Sequence, residues 1–212
     1  MTTIEYVNPA LEKMAVTNRN PSPDPIDPDM IDYFTKLICQ TPSKQSQCHF
    51  DLYVITDFDL IKNKIYYSTE TPDPEPDAKH PQPYNPQVLA PLLLLLSRKQ
   101  NPQKQRYIDN NPTDIKAEFQ RDGLVAMGIA MGTTAYEACR LGYTTGYCAC
   151  INSQMLTDIL EEKLNREVTM INPHILAISK DMGQDPRLHA IHGKECYFDS
   201  QDKNHIEVTR IE

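Results

Sequence analysis

No stretch of this chain approaches the ~20 consecutive apolar residues that a membrane-spanning helix needs. The most apolar run, Val88 to Ser97 with five consecutive leucines, falls far short and reads as a fully buried strand. The N-terminus lacks a charged n-region followed by an apolar h-region, so no secretory signal is expected. The six cysteines (Cys39, Cys48, Cys139, Cys148, Cys150, Cys196) show no CxxC spacing, and most sit in apolar segments where a free thiol packs as a small hydrophobe. Without a signal, a disulfide framework has little place in a chain of this length, and a reducing cytoplasm is the expected compartment. There is no basic run and no aromatic RNA-binding signature, and the net charge of −8 argues against nucleic acid. No Gly-rich loop stands between a strand and a helix, because Gly128 and Gly132 fall inside a helical segment. Ser/His/Asp and Cys/His arrangements are missing too. The histidines are scattered, and His189-x-x-His192 has no third ligand pointed at it, so no metal site is expected.

What is present reads as one α+β domain spanning residues 1–212, large enough for a proper core. Its organising stretch is Asp122 to Asn152. The first part predicts a long central helix, apolar nearly all round and therefore buried, with only Thr133, Glu137 and Arg140 as a polar stripe. Leu141-Gly142 stops it, and Thr144 to Ile151 continues as a β-prone segment. Elsewhere, a short helix is expected near Pro9 to Met14, and Asp27-Pro28 caps a helix whose buried face is Met30, Ile31, Phe34, Leu37 and Ile38. His49 to Thr56 reads as a strand, and Asp57 caps a helix running through Ile61 and Ile65. Tyr67 to Tyr84, rich in Pro, Asp and Glu, is a mobile loop or a lid. A helix through Leu156, Ile159, Leu160 and Leu164, a strand from Ile171 to Ser179 and a weakly alternating segment His205 to Ile211 complete the chain.

The polar turns carry the functional signal. Thr17-Asn18-Arg19 offers a hydroxyl and a guanidinium on one extended face, suited to phosphate. Pro42-Ser43-Lys44-Gln45-Ser46 is a dense set of donors between a helix and a strand, and Asn85-Pro86-Gln87 precedes the leucine run. In this order the segments resemble the FMN-dependent nitroreductase family. That family's R-x-S-x-R segment is similar to Ala15-Val16-Thr17-Asn18-Arg19, and its A-P-S-x-x-N-x-Q-P-W turn to Thr41–Phe50. Its N-x-Q-x-x-x-A-P lead-in resembles Asn85 to Pro91, and its L-G-L-G-T-x-W-x-G-G resembles Leu141 to Cys150. Its closing strand resembles Pro173 to Ser179.

The resemblance implies a mostly antiparallel central sheet flanked by helices, and a homodimer with FMN at the subunit interface. It implies hydride from NAD(P)H and a small acceptor: a nitroaromatic, a quinone or free flavin. Carried over by position, Thr17 and Arg19 would hold the phosphate, with Arg187 preferred to Lys194 as a further basic partner. Pro42, Ser43 and Lys44 would reach the flavin from the partner subunit, Asn85 or Gln87 would contact the ring edge, and the backbone at Ala149 and Cys150 would lie against the redox-active nitrogen. No catalytic side chain is expected, since the flavin carries the chemistry. The chain departs from the pattern at Ala15, where the family has Arg, and at Ala149-Cys150, where it has Gly-Gly. These departures suit an alternative, a non-catalytic flavin- or ligand-binding protein on the same scaffold. A third reading makes Cys148 or Cys150 a nucleophile, although neither has a neighbouring base or helix N-terminus in sequence.

Overall fold

The computed structural model describes residues 8–43, 49–69, 84–99, 114–188 and 190–191, with the backbone alone described for 114–119. Lys44, Lys194, most of the expected lid and the segment 205–211 lie outside these residues.

The leucine run sets the architecture. Strand β2 (Leu92–Arg98) pairs antiparallel with β1 (Phe50–Ile55) on one side and β4 (His174–Lys180) on the other, and β3 (Tyr143–Cys148) pairs antiparallel with β4. The order is β1-β2-β4-β3, which leaves β1 and β3 as opposite edges. Successive side chains of a strand point to opposite faces. Accordingly Leu92, Leu94 and Leu96 pack with Phe34, Ile38, Met127 and Ala130, while Leu93 and Leu95 pack with Ile61, Ile65, Leu156 and Ile175. A strand covered on both faces has no polar face to alternate with, so its sequence is continuous. Each buried leucine contributes roughly 1.5–3 kcal/mol.

One covering layer contains α2 (Pro28–Gln40) and the long helix α4 (Asp114–Arg140), with the short α1 (Pro9–Ala15) against α4. The other contains α3 (Phe58–Asn63) and α5 (Ser153–Leu164). The caps follow the sequence: Asp27 accepts from the Asp29 N–H, Asp57 from Leu60 and Asn152 from Met155, each satisfying an otherwise orphaned donor. Gly142, after α4, has φ +90°, which a side chain would resist.

Several boundaries differ from the sequence reading, among them β4, which begins at His174 and not at Ile171. The helix after Asp57 ends at Asn63, and Ile65–Ser68 forms a separate 3-10 turn. Val88 belongs to another 3-10 turn, Pro86–Val88, because Pro86 supplies no N–H and fits a first helical position; the strand begins only at Leu92. β3 ends at Cys148 and not at Ile151. No described helix is long and apolar enough to cross a membrane.

Burial of α4 holds on its sheet-facing side, where Ala126, Met127, Ala130, Met131, Thr134 and Ala138 are enclosed. Its opposite stripe is open in the single chain: Leu124, Val125 and Ile129 are 41, 55 and 41% exposed, with Gly128 and Gly132 between them.

Candidate functional site

Among the described residues β3 is an edge strand, and its free edge is covered by two irregular segments. The Asn18 N–H donates to the Thr145 carbonyl at 2.9 Å, and Gln87 Nε2 donates to the Tyr147 carbonyl at 3.2 Å. Gly146 lies between them. A Cβ there would stand 2.6 Å from Gln87 Cβ and 3.2 Å from the Asn18 carbonyl oxygen, so both segments approach only because residue 146 has no side chain.

Asn18 clamps the first segment. Its side chain is buried and Nδ2 donates to Thr144 Oγ1 at 2.7 Å, while the Thr144 and Ser179 hydroxyls share a 2.9 Å hydrogen bond. Its Oδ1 accepts from the Asn20 N–H at 2.9 Å, so the chain bends just after Asn18. The Arg19 N–H donates to the Pro186 carbonyl at 2.8 Å, and Ala190 N–H donates to the Arg19 carbonyl at 3.0 Å. Residues 186–190 thus run beside Arg19. Arg187 itself is exposed and engages Asp185 through Nε at 3.1 Å and Nη2 at 3.0 Å, which holds the Asp185 carboxyl below its usual range. Lys13 likewise pairs with Asp181 and holds that carboxyl down.

Thr17 opens on a cleft of about 290 Å³ between α1, α4 and β3, whose walls include Met14, Gly128, Gly132, Gly146 and Tyr147. The second segment carries Asn85 and Gln87. Asn85 Nδ2 donates to the Thr69 carbonyl at 2.7 Å, and Gln87 Nε2 donates to Asn85 Oδ1 at 3.2 Å. Gln87 is only 7% exposed, and its Oε1 has no hydrogen-bond partner among the described residues. A buried acceptor left unmet is rare and costly.

Ala149 and Cys150 follow β3 and are exposed. Cys148 is buried, donates to the Cys150 carbonyl at 3.7 Å, and is pushed up to about 12 by burial. It is a thiol at neutral pH, which removes Cys148 from the nucleophile reading.

Of the residues expected at a site, the structure gathers Thr17, Arg19, Asn85, Gln87 and Arg187 around the free edge and following turn of β3, with Ala149 and Cys150 just beyond the strand's end. Pro42, exposed, and Ser43, half-buried, lie instead on the stretch leading to β1, the opposite edge of the sheet. Three strand spacings of ~4.8 Å separate those edges. Lys44 lies outside the described residues. Sequence reading missed Asn18 and Thr69. For Asn18 the signal was its place between Thr17 and Arg19 in a polar triplet; for Thr69 there was none.

The fold has counterparts among solved structures. The hypothetical oxidoreductase YcnD of Bacillus subtilis is 20% identical, with 97% of this chain and 76% of that one superposed at a TM-score of 0.60. Nitroreductase A of Vibrio parahaemolyticus is 16% identical, over 91% of this chain and 78% of that one, with a TM-score of 0.57. The NfrA1 nitroreductase of B. subtilis is 13% identical, over 96% and 76%, also at 0.57. The chain has the nitroreductase fold. No protein-family model matches its sequence, and no curated protein does. At this level of identity the nitroreductase likeness is one of fold, and chemistry has to be argued from the site.

Proposed function

We propose that the chain is an FMN-dependent oxidoreductase, acting as a cytoplasmic homodimer, that takes hydride from NAD(P)H and reduces a small acceptor such as a nitroaromatic, a quinone or free flavin. The observation that carries this reading is the convergence on the β3 edge of segments that resemble flavin-binding motifs: Thr17–Arg19, Asn85–Gln87 and the strand leading to Ala149–Cys150, laced together by hydrogen bonds. In this reading Thr17, Arg19 and Arg187 hold the phosphate, Asn85 and Gln87 hold the ring edge, and the backbone at Ala149 and Cys150 orients the ring. FMN, when bound, supplies the hydride chemistry, and the chain supplies position and hydrogen bonds.

A second copy is part of the proposal. Pro42 and Ser43 lead to the wrong edge of their own sheet and, with Lys44, would complete the partner's site. The exposed stripe of α4 supports the same conclusion. Gly128 and Gly132 each cost about 1 kcal/mol of helix propensity relative to Ala, yet a Cβ at either would meet nothing within 4 Å among the described residues. Small residues beside exposed Leu124, Val125 and Ile129 suit close approach of another helix.

The test is a visible absorption spectrum of the purified protein with added FMN, followed by NADH or NADPH without oxygen. Bound flavin that bleaches supports the oxidoreductase, and failure to bind FMN removes the reading. A second reading, a binding protein without redox activity, is favoured by the pairing of Arg187 with Asp185 and by Cys150 in place of a glycine. Bound flavin that neither nucleotide reduces would establish it.

A further inference from the structure

The cleft beside β3 borders a basic corner on the same face of the sheet. Tyr147 and Leu176, both in its wall, stand opposite each other on β3 and β4. His174 lies two residues before Leu176 and so shares its face, and the His174 ring is 5.8 Å from that of Tyr147, tilted by 44°. The Asn172 carbonyl only accepts, so the 2.8 Å contact with His174 Nδ1 is an N–H donation that holds the imidazole in place. Leu96 stands opposite His174, and Arg98, two residues further along β2, is on that face again. Diagonal neighbours of this kind have Cβ atoms roughly 7–8 Å apart, within reach of long side chains.

Arg98 is a cation without an anion. Its stem packs on α4 where Gly123 makes room, since a Cβ there would stand 2.9 Å from Arg98 Cγ and 3.0 Å from Cδ. The residue is half-buried, and among the described residues its side chain makes no hydrogen bond or ion pair. Nε is enclosed, whereas Nη1 and Nη2 are not, which leaves the tip of the guanidinium open to a ligand. On the neighbouring strand, Asp51 belongs to the opposite face and engages Lys99 at 3.7 Å. A guanidinium stays charged at any physiological pH, and withdrawing one from water without a counter-charge is costly. The chain carries a net charge of −8, so this cation is not part of a generally basic surface.

We propose that the cleft and this corner together bind an aromatic carboxylate, with its ring against Tyr147 and His174 and its carboxylate on Nη1 and Nη2 of Arg98. Two parallel N–H donors match the two oxygens of a carboxylate. Tyr147 is 47% exposed and supplies the aromatic surface. The register ties the site to the reaction. Cys148 stands opposite Ile175, so Ala149 comes level with His174 at the end of β3. In the flavin reading, on which this step rests, the flavin ring lies against Ala149 and Cys150. The acceptor is thereby narrowed to nitroaromatics and quinones that carry a carboxylate.

The test compares benzoate with benzamide, which has nearly the same shape and no charge, by isothermal titration calorimetry on the purified full chain. Benzoate should bind at least about tenfold more tightly, and Arg98→Gln should bring the two within about threefold of each other. Equal binding by the wild-type protein would overturn the site, and that arm depends on no variant folding. A benzoate preference that survives in Arg98→Gln would overturn the role of Arg98. With FMN bound, kcat/KM for 4-nitrobenzoate should exceed that for 4-nitrobenzamide by about tenfold or more, chiefly through KM. Equal kcat/KM for the two would overturn the narrowed acceptor class. A chain that selects benzoate but does not bind FMN loses the flavin reading and keeps the site. A chain whose bound FMN is reduced, yet which treats benzoate and benzamide alike, keeps the flavin reading and loses this inference.

Discussion

The two sides of α4 have nearly the same apolar character and opposite surroundings. Towards the sheet, Met127, Ala130, Met131 and Ala138 are 0–4% exposed and enclosed by Phe34, Ile38 and the even-numbered leucines of β2. Away from it, Leu124, Val125 and Ile129 stand open, with two glycines that no close contact among the described residues requires. A side that packs on its own sheet is tied to folding; an equally apolar side left open among the described residues supports the assembly proposed above. Exposed leucines taken singly need no explanation, but a continuous apolar stripe does.

Breaking the inner side should cost most. Met127→Ala leaves a cavity among residues that cannot all collapse into it, and we expect a loss of about 2–4 kcal/mol in urea unfolding. The outer side should respond differently. In the proposed dimer Val125→Asp puts a charge into a contact that symmetry repeats, and the dimer dissociation constant should rise by roughly a hundredfold or more, read by light scattering. Stability of the separated chain should change by no more than about 0.5 kcal/mol. Gly128→Ala sharpens the contrast further. On a free helix surface it would stabilise by up to about 1 kcal/mol; facing a second helix it should weaken association even as it favours the helix.

The smallest effect concerns the end of α4, where it is stapled to α2. Glu137 takes a hydrogen bond from the Tyr33 hydroxyl at 2.7 Å and a forked pair from Arg140 at 2.6 and 2.7 Å. Arg140 first, then Tyr33, lowers the Glu137 carboxyl from 4.5 to about 2. A depressed carboxylate stabilises the fold above its unfolded value and loses that contribution as pH falls through the folded one. The loss should therefore fall between about pH 4.5 and 2, and Glu137→Gln should flatten it in acid unfolding. Solvent screening at this site keeps the effect at or below about 1 kcal/mol.

The sheet was legible because period and burial agree: an uninterrupted run such as Leu92–Leu96 has one reading when caps and turns flank it. The stripe on α4 was not, since a helix apolar on every side does not reveal which side meets its own sheet. The site was half legible. Thr17 and Arg19 could be picked from their chemistry, whereas the bond from Asn85 back to Thr69 crosses sixteen residues of sequence with no periodicity to announce it.

A flavin site completed by a second chain is most directly tested by sedimentation velocity of the FMN-loaded protein, followed in the ultraviolet and at the visible flavin band. The account predicts that the flavin travels with a species of twice the 24.2 kDa chain mass and is absent from any species at 24.2 kDa. Flavin sedimenting with the single chain would contradict it.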